Sequence, residues 1–177
     1  MISDFSPFSN ENLISKIKLI ENKKWMDSMN IIESNKSFSY ESKEYQFPFP
    51  NDNFVNYIEM DGCKHFTKIK PRLMRRYPFF KFSADKWKNE SIQRNYLLEN
   101  IRPYPDDILI LSDIDEIIDP TYKNYIIDNV NRNGIITIKL IFTMFYFNLV
   151  VKNWGGPAGY SLASKYRQVA VTRQRAR

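Results

Sequence analysis

Asp106-Asp-Ile-Leu-Ile-Leu-Ser-Asp-Ile-Asp-Glu116 places an apolar run directly before a cluster of carboxylates. An apolar run without alternation predicts a strand that is buried on both faces of a sheet. Because side chains alternate along a strand, Asp113 and Asp115 are expected on one side and Ile114 in the core. Mg²⁺ and Mn²⁺ prefer carboxylate oxygens, water and phosphates, and ligands of open α/β sheets bind beyond the carboxyl ends of strands. This stretch therefore predicts a central strand with a metal–phosphate site at its end; the alternative is that Asp113 only caps the turn and the other acids are solvated.

Helical and strand patterns alternate on both sides of this strand. Leu13, Ile14, Ile17 and Ile20 share one face of a predicted first helix. The predicted elements are a helix over Ser9–Asn22, a first strand over Met29–Glu33, a loop over residues 41–56, a strand over Tyr57–Met60, a helix from Ala84 to Ile101 capped by Ser83, a helix over Thr121–Val130 and a pair of strands over Gly134–Val151. This alternation predicts an α/β fold with a mostly parallel central sheet flanked by helices.

The composition is that of one globular domain, since the chain has 177 residues, of which 43% are hydrophobic and 26% charged. Cys63 and His65 are each the only residue of their type, which excludes a disulfide framework, a cysteine zinc cluster and a multi-histidine metal site within the chain. All acidic residues lie at or before Asp128, so the net charge of +6 comes from the C-terminal part. A basic end is suited to phosphate groups, nucleic acid or an anionic membrane; a solvated tail is the alternative.

Neither a signal peptide nor a membrane span is predicted. Residues Met1–Pro7 contain no basic segment leading into an apolar stretch. The longest apolar run, Ile135–Val151, is interrupted by Lys139 and Asn148 and is shorter than a transmembrane helix requires. We therefore expect a soluble, cytoplasmic protein.

Trp87, Glu90 and Arg94 have the spacing of one helical face. The planar guanidinium of Arg94 suits either a diphosphate or a carboxylate such as that of Glu90 or Asp113. The alternative is an ordinary salt bridge on the helix surface beside a core tryptophan.

Two further groups are candidate binding residues. Glu33 and Ser34, at the end of the predicted first strand, are suited to hydrogen bonds with a nucleotide, although turn chemistry also explains them. Tyr146, Asn148 and Trp154 are suited to form a platform for a sugar ring, although core aromatics are commoner.

Three segments, in chain order, resemble the successive motifs of a known family: Ile31–Phe38, Trp87–Asn95 and Asp107–Ile117. Asp4–Phe8 is similar to the start of the same family's domain, and Phe145–Gly155 to its later aromatic segment. The family is glycosyltransferase family 17, the β-1,4-mannosyl-glycoprotein β-1,4-N-acetylglucosaminyltransferases, which add the bisecting GlcNAc to N-glycans. The chain departs from its pattern where Ile118-Asp119 precede Pro120, and the family's domain continues past Arg177.

The resemblance implies that residues 1–177 form a single glycosyltransferase domain with a GT-A-like fold. It implies that Asp113 and Asp115 hold Mn²⁺ or Mg²⁺ against the diphosphate of UDP-GlcNAc, with Glu33 near the nucleotide and Arg94 near the diphosphate or the aspartates. GlcNAc would pass to a sugar hydroxyl of a glycan acceptor, and no nucleic acid partner is expected. Forming a β-linkage from an α-linked donor inverts the anomeric carbon and requires a carboxylate base, for which the nearby candidates are Glu116 and Asp119.

Three other functions remain open. A phosphatase of the haloacid dehalogenase type would use Asp113 as nucleophile and Asp115 as acid, but it needs a second acidic pair downstream, and no acid follows Asp128. A nucleic-acid-binding module would use the basic C-terminal part and the aromatic residues. A degenerate transferase would bind a nucleotide sugar without turnover.

Overall fold

The computed structural model describes residues 1–68, 78–141 and 160–165. The predicted sugar platform of Tyr146, Asn148 and Trp154 lies outside these residues, as does much of the basic C-terminal part. The elements, in chain order, are β1 (Ile2–Phe8), α1 (Asn12–Asn22), β2 (Ser28–Ser34), β3 (Val55–Met60), α2 (Gly62–His65), α3 (Pro78–Ile101), β4 (Ile108–Leu111), a 3₁₀ turn (Pro120–Tyr122), α4 (Lys123–Asn133), β5 (Ile135–Lys139) and β6 (Tyr160–Lys165).

The strands form one mixed sheet of six strands in the order β3-β2-β1-β4-β6-β5. Strands β3, β2, β1 and β4 are parallel, whereas β6 pairs antiparallel with both β4 and β5. The predicted α/β class is thereby confirmed. The chain moves outward from β1 to β2 and β3 and then returns to the other side of β1 with β4. Such a reversal of strand order opens a crevice at the carboxyl ends of the strands.

Helices cover both faces of the sheet, and β4 is buried between them. Leu109 and Ile110 are 0% exposed, as predicted for a central strand. Alternate residues of β4 face opposite ways, since Ile110 packs with Val130 of α4 and Leu109 packs with Leu97 of α3. β4 is apolar throughout because its alternate residues are buried in two separate core layers, one on each face of the sheet.

Strand β1 was missed by the sequence analysis, which treated Met29–Glu33 as the first strand. Ser3, Asp4 and Ser6 are polar but buried in β1, and Pro7 stands near its end. The segment therefore lacks both the apolar run and the simple alternation that identify a strand. What makes it a strand is its place between β2 and β4, where its backbone pairs on both sides.

The predicted first helix is confirmed as α1, and the helix predicted from Ala84 is confirmed in type but begins earlier. Of the apolar residues that share one face of α1, Leu13 and Ile20 are 69% and 52% accessible, whereas Lys18 is 1% accessible. Helix α3 begins at Pro78 rather than at Ala84, so Ser83 lies within it and does not cap it. Of the predicted pair of strands over Gly134–Val151, β5 is present and the part from residue 142 lies outside the described residues.

Within the described ranges, none of the helices is long and apolar enough to cross a lipid bilayer.

Candidate functional site

A cleft of about 230 Å³ opens at the carboxyl ends of β1, β2 and β4. It is lined by the end of β1 (residues 7–9), Glu11 just before α1, the loop after β2 (residues 36–38 and Lys43), helix α3 (Glu90 and Gln93) and the segment after β4 (residues 113–115). This is the position at which the strand order reverses, and it is where open α/β sheets bind their ligands.

The two aspartates of the motif lie in a turn and not on a strand, which corrects the predicted alternation. β4 ends at Leu111, and the turn closes by a hydrogen bond from the Glu116 backbone N–H to the Asp113 carbonyl oxygen at 3.1 Å. The Glu116 carboxylate accepts a bond from the Asp113 N–H at 2.9 Å. Asp113 and Asp115 nevertheless both line the cleft, and Ile114 between them is buried, as expected.

Arg94 ties helix α3 to this turn. Its Nε donates to the Glu90 Oε1 at 3.1 Å, its Nη1 donates to the Ser112 carbonyl oxygen at 3.3 Å, and its Nη2 donates to the Asp113 Oδ1. The guanidinium therefore contacts both carboxylates that the sequence analysis named for it. Trp87, on the same helix, is 65% exposed and is not a core residue.

The electrostatics of the turn favour a cation. Loss of surrounding water and the like charge of Asp113 raise the pKa of Asp115, and Glu11 adds to this effect. A positive charge beside Asp115 would stabilise its ionised form. Within the described residues no three His, Cys, Asp or Glu side chains form a metal cluster. A divalent ion at Asp113 and Asp115 would therefore take its other oxygen ligands from water and substrate phosphates, which suits Mg²⁺ or Mn²⁺.

A buried ion pair lies directly beneath the turn. The ammonium of Lys18 is 3.3 Å from Asp4 Oδ1, and each of these side chains is 1% exposed. Lys18 Nζ also donates to Ser6 Oγ at 2.7 Å, to Ser112 Oγ at 2.6 Å and to the carbonyl oxygen of Asp113 at 2.6 Å. Burial lowers the pKa of Lys18, and the nearby Asp4 carboxylate opposes that shift. Helix α1, β1 and the turn after β4 are thus joined by one network, which holds the backbone of Asp113.

This network was not predicted from the sequence. Lys18 lies between Ile17 and Leu19, and the other basic residue of α1, Lys16, is exposed, so nothing in the spacing distinguishes Lys18. A carboxylate on a buried strand requires a cationic partner, but the residues around Asp4 lack the pattern of a strand and so gave no such signal.

Glu33 lies beside the cleft but does not line it. Its carboxylate is fully buried and accepts hydrogen bonds from Lys43 Nζ at 2.8 Å, from the backbone N–H of Gln46 and Phe47 at 3.0 Å and from Tyr57 OH at 2.8 Å. Ser34 is also buried and accepts a bond from the Lys36 N–H at 3.1 Å. These two residues hold the loop after β2, and the loop carries two lysines of the cleft.

Replacing Glu33 by Gln is expected to destabilise the protein by about 2 kcal/mol, because an amide offers only one acceptor oxygen to these donors and leaves buried groups unpaired. Urea denaturation measures the change, and cleavage of residues 35–47 by a protease is expected to become faster. Glu44→Gln, an exposed carboxylate on the same loop, is the matched control. Equal stability of the two variants would contradict the role assigned to Glu33.

The two carboxylates predicted as bases differ in position. Glu116 belongs to the turn that carries Asp113, and one oxygen of its carboxylate caps the backbone of that turn. Asp119 accepts bonds from the N–H of Thr121 at 2.9 Å and from its hydroxyl at 2.7 Å, which lowers the pKa of Asp119. Asp119 lines a separate depression together with Glu21 and Lys24, so it is not brought to the cleft.

The sequence model of glycosyltransferase family 17 matches residues 2–173. The match covers nearly the whole chain and includes every residue that lines the cleft. None of the curated proteins compared with the chain matches it.

Proposed function

This chain belongs to glycosyltransferase family 17, and on that premise we propose that it transfers N-acetylglucosamine from UDP-GlcNAc to a sugar hydroxyl of a glycan acceptor, with inversion at the anomeric carbon. The observation that carries the proposal is the turn of Asp113 and Asp115, which lines the cleft at the reversal of strand order. The same arrangement supports the assignment of the fold to the GT-A type, in which the nucleotide sugar occupies this crevice.

Asp113 and Asp115 are the residues that would hold Mn²⁺ or Mg²⁺. When bound, the cation supplies Lewis-acid stabilisation of the diphosphate leaving group. The chain's own contribution is to hold the two carboxylates in place before the donor arrives. Arg94 contacts the Asp113 carboxylate from α3, and Lys18 holds the Asp113 carbonyl from α1. This preorganisation lowers the cost of assembling the site.

Inversion requires a carboxylate that accepts the proton of the acceptor hydroxyl. Glu11 and Glu90 line the cleft together with the aspartates, whereas Asp119 lies in the separate depression. Glu116 is not among the residues that line the cleft. The placement therefore favours Glu11 or Glu90 over both carboxylates expected from the sequence.

The arrangement disfavours a phosphatase of the haloacid dehalogenase type. That chemistry would require the Asp113 carboxylate to attack a phosphorus atom as a nucleophile. In this structure Arg94 donates to the same carboxylate, which makes it a weaker nucleophile. The family match also points to sugar transfer.

Calorimetric titration of the native chain with UDP and UDP-GlcNAc tests the proposal. In the presence of Mn²⁺ both ligands are expected to bind, and EDTA is expected to weaken the binding by about tenfold or more, because the diphosphate then meets the negative charge of Asp113 and Asp115 without a divalent cation between them. GDP in place of UDP controls for binding by the diphosphate alone. Absence of UDP binding in a folded sample with Mn²⁺ would contradict the proposal.

A further inference from the structure

The wall of the cleft that faces away from the aspartates is basic. Lys36 and Lys43 line it from the loop after β2, while Asp113 and Asp115 line the cleft from the turn after β4. Because β1 lies between β2 and β4 in the sheet, the end of β1 separates the two groups. The cleft therefore has lysines on one side and carboxylates on the other.

The two lysines differ in their charge partners. Lys43 pairs with the buried carboxylate of Glu33 at 2.8 Å. Lys36 Nζ donates to the hydroxyl of Ser42 at 2.8 Å, which carries no charge. Among residues 1–68, 78–141 and 160–165, none of the ion pairs involves Lys36. Lys36 thus lines the cleft, and its ammonium forms no ion pair with a carboxylate among the described residues.

The structure holds Lys36 in place from several sides. Its Nζ lies 5.1 Å from the centre of the Tyr40 ring, within the range of a cation–π contact. Its backbone N–H donates to Ser34 Oγ, and its backbone pairs with that of Ser42. Its stem packs on Gly62, where a Cβ atom would lie only 2.7 Å from the Cβ of Lys36. Such a side chain is positioned before any ligand arrives.

The ring that holds Lys36 also attracts a second lysine. Lys68 Nζ lies 5.6 Å from the centre of the same Tyr40 ring, so two ammonium groups that repel each other share one aromatic side chain. Tyr40 itself has a φ of 71°, a left-handed conformation that residues with a Cβ rarely adopt. Strained residues of this kind cluster where a binding surface is built. Tyr40 and Lys68 are not among the residues that line the cleft, but an anion that contacted Lys36 from the cleft would relieve the repulsion between the two lysines.

We propose that Lys36 contacts the diphosphate of the nucleotide-sugar donor, from the side of the cleft away from Asp113 and Asp115. A cation on the aspartates would neutralise only part of the negative charge of a diphosphate. The ammonium of a lysine is a compact positive charge with several N–H donors, and it would donate to the remaining oxygens of the diphosphate. The inference deepens the proposed function and rests on it, since it names a residue that recognises the phosphates of that donor.

The experiment compares Lys36→Gln with the native chain in the binding of UDP, measured by calorimetry with Mn²⁺, and of uridine, measured by ligand-observed NMR. Loss of one charged contact is expected to weaken UDP binding by about tenfold or more and to leave uridine binding unchanged. The matched control is Lys139→Gln, an exposed lysine on β5 at the opposite edge of the sheet, which should bind UDP like the native chain. Lys36→Met, which keeps the stem that packs on Gly62, should behave like Lys36→Gln, and Lys36→Arg should retain most of the affinity.

The outcomes separate this inference from the proposed function. No binding of UDP to the native chain overturns both. Native binding that persists unchanged in folded Lys36→Gln or Lys36→Met overturns only the assignment of Lys36. Equal losses for UDP and uridine also overturn it, because they would show that Lys36 shapes the cleft without contacting the phosphates. Thermal melting of each variant shows that it is folded.

Discussion

Replacing Asp113 and Asp115 together by Asn is expected to abolish the metal-dependent binding of UDP while the chain keeps its fold. Loss of a hydrogen-bond partner behind a metal ligand already costs about 10- to 100-fold in metal affinity, so loss of both ligands is expected to cost about 100-fold or more. Amide oxygens carry no charge that could compensate a divalent ion. Calorimetry with UDP and Mn²⁺ measures the effect, and sugar transfer to an acceptor is expected to fall with it.

The fold should survive this change because both aspartate side chains are accessible to solvent. The core contact of the turn is made by Ile114, which is 3% exposed and is retained. The ion pair between Arg94 and Asp113 is partly exposed, and such pairs contribute little to stability. Asp128→Asn, an exposed aspartate on α4, is the matched control and should bind UDP normally. Undiminished UDP binding by the double variant would remove the metal site from the mechanism.

Replacing Lys18 by Met is expected to destabilise the protein by about 3–5 kcal/mol, because it leaves the buried carboxylate of Asp4 without its cation. For a chain of this size that corresponds to a fall in melting temperature of roughly 10 °C or more. The variant also loses the bond from Lys18 to the carbonyl oxygen of Asp113. UDP binding is therefore expected to weaken even at temperatures where the variant is folded.

Lys16→Met is the matched control for this substitution. Lys16 lies one half-turn earlier on the same helix and is exposed, so its loss is expected to change stability by no more than about 0.5 kcal/mol. Lys18→Met combined with Asp4→Asn should recover part of the lost stability, since the second change removes the uncompensated charge. Equal melting temperatures for Lys18→Met and Lys16→Met would show that the buried pair does not hold the site.

Whether a feature could be predicted depends on how far apart along the chain the interacting residues lie. The run from Ile108 to Leu111 is apolar throughout, so burial on both faces could be inferred from adjacent residues, and the structure confirms it. Arg94 and Glu90 are four residues apart on one helix, and that spacing places them on one face. β1 has no such local pattern, because its polar residues are satisfied by side chains more than ten positions away.

The amino-acid sequence by itself determined the α/β class, the central strand β4 followed by a cluster of carboxylates, and membership of glycosyltransferase family 17. These properties are contained in short segments and in the order of motifs along the chain. Only the tertiary structure decided that Lys18 is buried against Asp4, that Glu33 holds a loop and that Lys36 lines the cleft. The reason is that β1 lies between β2 and β4, and the contacts between residues brought together in this way have no local sequence pattern.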